Sequence, residues 1–193
     1  MPAEIESGSM VCSAKKGCEH GARLLVLGLG NILLSDEGVG VHITAQLQKQ
    51  HLPGNVEVID GGTAALDVLL LQQGPYKLVV IDAIRAGNKP GTIYKIRLKG
   101  QQKDRLTEIF GKVGQSKISL HQVGLLDALG VAKKIGRAPA EVVVIGVEPG
   151  EVGFGLELTA KVKRSVPKVI KEVLKEIKKR ISATKTQSHE GKK

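Results

Sequence analysis

The chain has 193 residues, of which 41% are hydrophobic and 25% charged, a composition ordinary for a soluble protein and a length that suits one domain. It has no apolar run long enough to span a membrane and no signal-peptide core in its first twenty residues, so we expect a cytoplasmic protein without membrane contact. The net charge of +10 is concentrated after residue 157 and only 2% of residues are aromatic, so we expect a solvated basic helix face and no nucleic-acid partner.

The two ends of the chain differ in composition from its middle. Residues 1–22 are rich in Ser, Gly, Lys and Glu, which predicts a disordered extension, and residues 183–193 predict a basic, flexible tail. Cys12 and Cys18 lie in the extension at a spacing that matches no trusted zinc motif. The periodic segments lie between these ends, so we expect a single domain over residues 23–182.

The domain opens with an apolar run, a glycine-rich turn and an amphipathic segment. Residues 24–27 predict a buried strand, and residues 38–50 predict a helix after the turn that contains Gly28 and Gly30. Such a unit opens an α/β sheet. A dinucleotide-binding turn needs a third glycine where this chain has Leu33. A nucleotide- or small-ligand-binding module that uses Gly28 and Gly30 remains the alternative function.

Strand and helix patterns alternate along the rest of the chain. Further strands are predicted at residues 56–59, 77–81, 92–98 and 141–147, and helices at 64–73, 101–110, after Ser119 and after Thr159, the last interrupted by Pro167. Residues 77–81 are the most hydrophobic and suit the sheet centre, whereas 92–98 alternate like an antiparallel edge strand with one wet face. We therefore expect a three-layer α/β fold, with a mostly parallel twisted sheet, helices on both faces and one antiparallel edge strand.

Three residues stand out as candidate ligands or catalysts. Glu37 follows the first strand, Asp82 ends the predicted central strand, and His121 lies in the first turn of a helix. The loops that follow parallel strands converge at one edge of the sheet, so two carboxylates and an imidazole there would suit zinc or nickel. Each residue also has a structural interpretation: a helix-dipole acid, a turn residue, and a histidine bonded to backbone. Spacing alone does not decide between these interpretations.

Several sequence blocks, taken in order, resemble the hydrogenase maturation endopeptidases, the proteases that finish the large subunit of nickel–iron hydrogenases. The first block, residues 28–40, carries Glu37. The blocks that follow it are Asp60-Gly61-Gly62-Thr63, Ile81-Asp82-Ala83, Pro90-Gly91-Thr92, Ser119-Leu120-His121-Gln122, Ile145-Gly146-Val147-Glu148-Pro149 and Gly155-Leu156-Glu157-Leu158-Thr159.

The resemblance implies a function and a site. The function is one cut that removes the C-terminal extension of a hydrogenase large-subunit precursor after nickel insertion. Glu37, Asp82 and His121 match the family's metal-binding triad and would be the catalytic residues; nickel would be recognised in the precursor, and zinc or cadmium would substitute in crystals. No organic cofactor is implied, and we expect a monomer. Because glycine permits close approach of a peptide, we expect Asp60, Gly61, Gly62 and Thr63 to bind substrate.

Overall fold

The computed structural model describes residues 24–71, 75–99 and 120–187, in which a five-stranded sheet lies between two layers of helices. The strands are β1 (Leu24–Leu29), β2 (Val56–Gly62), β3 (Lys77–Ala83), β4 (Ile93–Lys99) and β5 (Glu141–Val147). The helices are α1 (Val39–Leu47), α2 (Ala65–Leu71), α3 (Leu120–Lys134), α4 (Ala160–Lys163) and α5 (Val166–Gln187), and a 3-10 turn, Ser35–Gly38, precedes α1.

Some predictions fall wholly or partly outside the described residues. These are the disordered extension, the helix at residues 101–110 and Ser119, after which a helix is predicted. The last helix runs to Gln187, and the tail beyond it is not described. No helix within the described ranges is both long enough and apolar enough to cross a membrane.

The strands lie in the order β2-β1-β3-β5-β4. The pairs β1–β2, β1–β3 and β3–β5 are parallel, and β4 runs antiparallel to β5 at the edge. This confirms the predicted sheet, with residues 77–81 at its centre and an antiparallel edge strand. From β1 the chain passes to β2 on one side and then to β3 on the other. The strand order therefore reverses between β1 and β3, where open α/β sheets bind ligands beyond the carboxyl ends of the strands.

Each face of the sheet has its own apolar core. Alternate residues of the buried strands point to opposite faces, which is why continuous apolar runs are needed. Helices α1, α4 and α5 cover the face that includes Val26, Val79, Ile81, Val143 and Ile145. Helices α2 and α3 cover the face that includes Leu25, Leu27, Leu78, Val80 and Val144.

The polar face of β4 is partly exposed, as predicted, and it also carries ion pairs. Lys95 and Arg97 alternate with apolar neighbours, Lys95 is exposed and Arg97 is half-buried, and the two side chains are 30% and 31% exposed. Both bind Glu176, which is fully buried, with Lys95 Nζ 2.7 Å from Oε1 and Arg97 Nη2 2.6 Å from Oε2. Lys77 Nζ binds the same carboxylate at 2.8 Å. The face predicted to be wet is therefore partly in solvent and also forms ion pairs with α5, which the sequence did not predict.

The final helical segment is split, as predicted from Pro167. Helix α4 ends at Lys163, and α5 begins at Val166 with Pro167 as its second residue. Proline is tolerated in a first helical turn, where its missing N–H would have no intrahelical partner.

Glycines let the start of α1 approach the sheet closely enough to reach its backbone. A Cβ on Gly40 would lie 2.2 Å from the carbonyl oxygen of Leu29 and 2.4 Å from that of Ile81. Gly30 has φ of 129°, and a Cβ there would lie 1.9 Å from the carbonyl oxygen of Glu37. The space beside these glycines is occupied by the chain's own backbone, which leaves no phosphate cradle there. The glycine pattern therefore serves helix–strand packing.

We expect Gly40→Ala to lower the free energy of unfolding by about 1–3 kcal/mol, because the added methyl group overpacks two carbonyl oxygens that cannot both move away. Urea unfolding measures this change. The matched control is Gly54→Ala, since a Cβ on Gly54 meets nothing within 4 Å. Its effect should stay within about 1 kcal/mol of zero. Equal stabilities for the two variants would contradict the packing argument.

Candidate active site

The candidate site lies at the reversal point between β1 and β3. Asp82 is the sixth residue of β3, and Glu37 lies in the 3-10 turn that follows β1. The two carboxylates are close enough for the charge of Glu37 to raise the pKa of Asp82. The structure therefore brings together two of the three predicted residues, at the edge predicted for them.

Asp82 is buried, with 2% of its surface exposed. Its Oδ1 accepts a hydrogen bond from the backbone N–H of Ala83 at 2.8 Å, whereas its Oδ2 has no hydrogen-bond partner among the described residues. Burial, opposed by that one hydrogen bond and assisted by the charge of Glu37, raises the pKa of Asp82 from its ordinary 3.8 to about 8. A buried oxygen without a partner is costly, and a cation or a donor from a substrate would relieve that cost.

His121 is the second residue of α3, and its side chain lies outside what the structure describes. Helix α3 ends at Lys134, shortly before β5 begins at Glu141. The end of the helix therefore lies near the amino edge of the sheet, and its first turn lies toward the carboxyl edge that carries Asp82. Among the described residues no three metal-binding side chains gather in one place. The triad thus remains a prediction, of which the structure describes the two acids together.

Asp36 is a fully buried residue that the sequence did not single out. Its Oδ2 accepts bonds from the N–H groups of Gly150 and Glu151 at 2.8 and 3.0 Å and from the Thr159 hydroxyl at 2.8 Å. Its Oδ1 accepts the N–H of Thr159 at 2.7 Å. Through these hydrogen bonds Asp36 connects the turn that contains Glu37 to the loop after β5. Nothing in the sequence signalled this role, because Thr159 was expected to cap the last helix, whereas its hydroxyl makes no capping hydrogen bond and donates to Asp36 instead.

Glu148 plays a similar part on the other side of the site. It is 5% exposed and accepts the N–H groups of Ala86 and Gly87 at 2.9 and 3.2 Å, together with a short bond from the Tyr94 hydroxyl. Burial and this hydrogen bond raise the pKa of Tyr94 to about 12. Glu148 thereby holds the segment that follows Asp82. In the sequence it belonged to a recognised block, but nothing local predicted this role.

The segment Asp60–Thr63 lies at the same edge of the sheet. Strand β2 continues to Gly62, which has φ of 46°. The carbonyl oxygen of Gly62 accepts a hydrogen bond from the N–H of Gly30 at 2.8 Å. Asp60 Oδ1 accepts the N–H of Gly62 at 2.9 Å, and the side chains of Asp60 and Thr63 are exposed. The segment thus borders the turn that leads to Glu37, on the side away from β3.

Comparisons with known proteins agree with one another. The family model HycI, described as hydrogenase maturation protease, matches residues 41–176, a range that contains Asp82 and His121 and begins just after Glu37. The chain is 38% identical to the hydrogenase expression/formation protein HupD of Rhodobacter capsulatus over 67% of this chain and 59% of that protein. It is 35% identical to the hydrogenase 2 maturation protease of Escherichia coli K12 over 78% of this chain and 87% of that protein.

The fold has solved counterparts as well. The hydrogenase-maturating endopeptidase HybD of E. coli superposes with a TM-score of 0.70 at 34% identity, covering 81% of this chain and 93% of that one. The [NiFe] hydrogenase maturation protease HybD of Thermococcus kodakarensis superposes with a TM-score of 0.62 at 29% identity, covering 80% and 99%. None of these similarities favours the nucleotide-binding alternative.

We expect Asp82→Asn to stabilise the protein increasingly as pH rises. An acid whose pKa is higher in the folded than in the unfolded chain contributes stability at low pH, and this contribution is lost as pH rises through the folded value. The parent should therefore lose stability between about pH 4 and about pH 8, whereas the uncharged amide has no proton to lose. Thermal unfolding at pH 5 and pH 8 measures the difference. The control is Asp127→Asn, since Asp127 is exposed. A difference in melting temperature between Asp82→Asn and the parent that is equal at pH 5 and pH 8 would contradict the argument.

We expect Asp36→Asn to lower the free energy of unfolding by about 1–3 kcal/mol, because in either orientation of the amide its NH₂ group faces at least one buried donor. Thr159→Val removes one hydroxyl donor and should cost less than Asp36→Asn. Urea unfolding ranks the two variants. A larger loss for Thr159→Val would show that the carboxylate of Asp36 is not the organising acceptor.

Proposed function

Because the chain belongs to the hydrogenase maturation protease family, we propose that it is the endopeptidase that removes the C-terminal extension of a nickel–iron hydrogenase large-subunit precursor after nickel insertion. The chain is a peptide hydrolase on this account, and its substrate is a protein. The observation that carries the proposal is the buried Asp82 carboxyl, whose Oδ2 has no hydrogen-bond partner among the described residues and which lies beside a second acid at the reversal point of the sheet. The maturation proteases among its relatives support the substrate class.

The nickel of the precursor is the ion that this site recognises. Glu37 and Asp82 supply two carboxylates, and His121 supplies an imidazole from the first turn of α3. Two ionised carboxylates held near each other repel. Once one of the two acids has ionised, the other therefore loses its proton readily only when a cation approaches. Nickel presented by the precursor supplies that charge, and the imidazole is a ligand that nickel favours. Zinc or cadmium would bind the same side chains in crystals.

Two routes then lead to cleavage of the peptide bond. In the first, nickel polarises the carbonyl group of the scissile bond, and the triad holds the metal in place. In the second, one carboxylate takes a proton from the attacking water, and the metal serves to position the substrate. Glu37 suits the role of base, since it is partly exposed, whereas Asp82 is buried.

The segment Asp60–Thr63 forms the wall of the site along which the precursor's extension lies. Gly62 allows a peptide backbone to approach closely, since a Cβ there would meet nothing within 4 Å, whereas Gly61 is buried against Leu27. The two polar side chains of the segment face solvent. We place the reaction in the cytoplasm and the enzyme in the monomeric state. The predicted extension at residues 1–22 and the tail after residue 182 take no part in cleavage.

We expect Glu37→Gln, Asp82→Asn and His121→Ala each to reduce processing by roughly 100-fold or more, the range for losing an acid–base or ligand group. Nickel-loaded precursor is incubated with each enzyme, and mass spectrometry follows the loss of the C-terminal extension. Metal-free precursor should remain uncut by the parent enzyme, because the triad then has no ion to bind.

The matched control for the histidine is His51→Ala, since His51 is exposed between α1 and β2. It should process precursor at the parental rate. All four variants should unfold cooperatively, and the two amide variants should melt no lower than the parent. Efficient cutting of metal-free precursor, or near-parental activity of Asp82→Asn, would refute the proposed role of the site.

A further inference from the structure

An exposed apolar surface borders the candidate site. It consists of Ile32, Leu33, Phe154 and Leu156, which we call the apolar rim, and these side chains are 42%, 56%, 98% and 61% exposed. The chain has two phenylalanines, and one of them is almost entirely in water here. A single exposed leucine is ordinary, but a group of large apolar side chains beside a functional site is typical of an interaction surface.

Two loops that are far apart in sequence form this rim. The N–H of Gly155 donates to the carbonyl oxygen of Leu33 at 3.0 Å, and the N–H of Ser35 donates to the carbonyl oxygen of Gly155 at 2.8 Å. A bridge of the parallel type pairs Leu34 with Gly155. Gly155 lies between Phe154 and Leu156 in the chain, and its backbone is bonded to the segment that contains Leu33. The four side chains therefore belong to one surface.

The rim is held rigidly. Asp36 binds both ends of the loop after β5, as described above, and His42 Nε2 lies 3.1 Å from the carbonyl oxygen of Leu156. A Cβ on Gly155 would lie 2.5 Å from Ser35 Oγ, so the loops are in contact at their closest point. A surface whose backbone is already ordered loses little entropy when a partner binds.

The rim is also continuous with the residues of the site. Ile32 and Leu33 lie in the turn that leads from β1 to the 3-10 segment containing Glu37. A Cβ on Gly38 would lie 2.8 Å from the Cα of Ile32, so the backbone next to Glu37 packs on the rim. Whatever presents a peptide bond to Glu37 must therefore lie beside these apolar side chains.

We propose that the apolar rim docks an apolar surface of the folded large-subunit precursor, next to the segment that is cut. This inference rests on the proposed function, and it names a recognition element outside the metal triad. A protease that makes one cut in one protein needs contacts that a short peptide cannot supply, and a rigid aromatic side chain is the usual anchor of such a contact.

Binding to metal-free precursor, measured by calorimetry, tests the docking without cleavage. Phe154→Ala and Leu156→Ser should each raise the dissociation constant roughly tenfold, as truncation of an anchor residue does. With nickel-loaded precursor the same variants should raise KM by a similar factor and leave kcat unchanged. Because the contact is apolar, the effect should persist at about 0.5 M NaCl, where contacts between exposed charges are screened.

Leu71→Ser is the matched control, since Leu71 is 83% exposed at the end of α2. It should match the parent in binding and in KM, and all three variants should melt at the parental temperature. The proposed docking at the rim would be overturned if Phe154→Ala and Leu156→Ser bound precursor as tightly as Leu71→Ser does. It would also be overturned if the parent did not bind metal-free precursor. Loss of self-association in Phe154→Ala with unchanged KM would assign the rim to a second copy of the chain and overturn the proposal. A parent that binds precursor through the rim yet never cuts it would instead refute the proposed function.

Discussion

The carboxylate of Asp36 is the interaction on which the candidate site depends. It is fully buried and accepts four hydrogen bonds from Gly150, Glu151 and Thr159, so a charge that would otherwise be costly to bury is well solvated by the protein. The bonds join the turn after β1 to the loop after β5, two segments that are separated by β3 in the sheet. Glu37 and the apolar rim both lie on these segments. Their relative positions therefore follow from one buried acceptor.

A second constraint acts at the start of α1. The glycines at residues 28, 30 and 40 let the helix backbone lie against β1 and β3, at distances that any side chain would prevent. This close approach places the turn with Glu37 directly over the end of β3. The same glycines made the sequence look like a phosphate-binding turn, since both uses require a missing Cβ. The structure separates the two explanations, because the space that phosphate would need is occupied by the chain's own carbonyl groups.

The sequence predicted the fold well, and its limits have physical causes. Apolar runs identified the strands because buried parallel strands need both faces apolar, and the alternation in residues 92–98 identified the edge strand. The resemblance to a known family named Glu37, Asp82 and His121, and the structure brings the first two together while leaving the imidazole undescribed. Glu176 shows what a pattern misses. It reads as one more charge on a basic helix, yet it is fully buried and binds Lys77, Lys95 and Arg97. Asp36 was missed for the same reason, since its partners lie more than one hundred residues away along the chain.

Under the proposed function, the site and the apolar rim together explain how one cut can be confined to one protein. Metal affinity alone is a poor discriminator, because imidazole and carboxylate bind several divalent ions with affinities that follow the metal more than the protein. An ion that is carried by a docked precursor reaches the triad at a high effective concentration, whereas a free ion does not. In the proposed reaction the docking energy would bring nickel and the scissile bond to the carboxylates, which is the kind of positioning that accelerates a reaction between bound groups. On this account the rim contributes selectivity and the acid pair of Glu37 and Asp82 contributes the response to charge, and neither suffices without the rigid connection through Asp36.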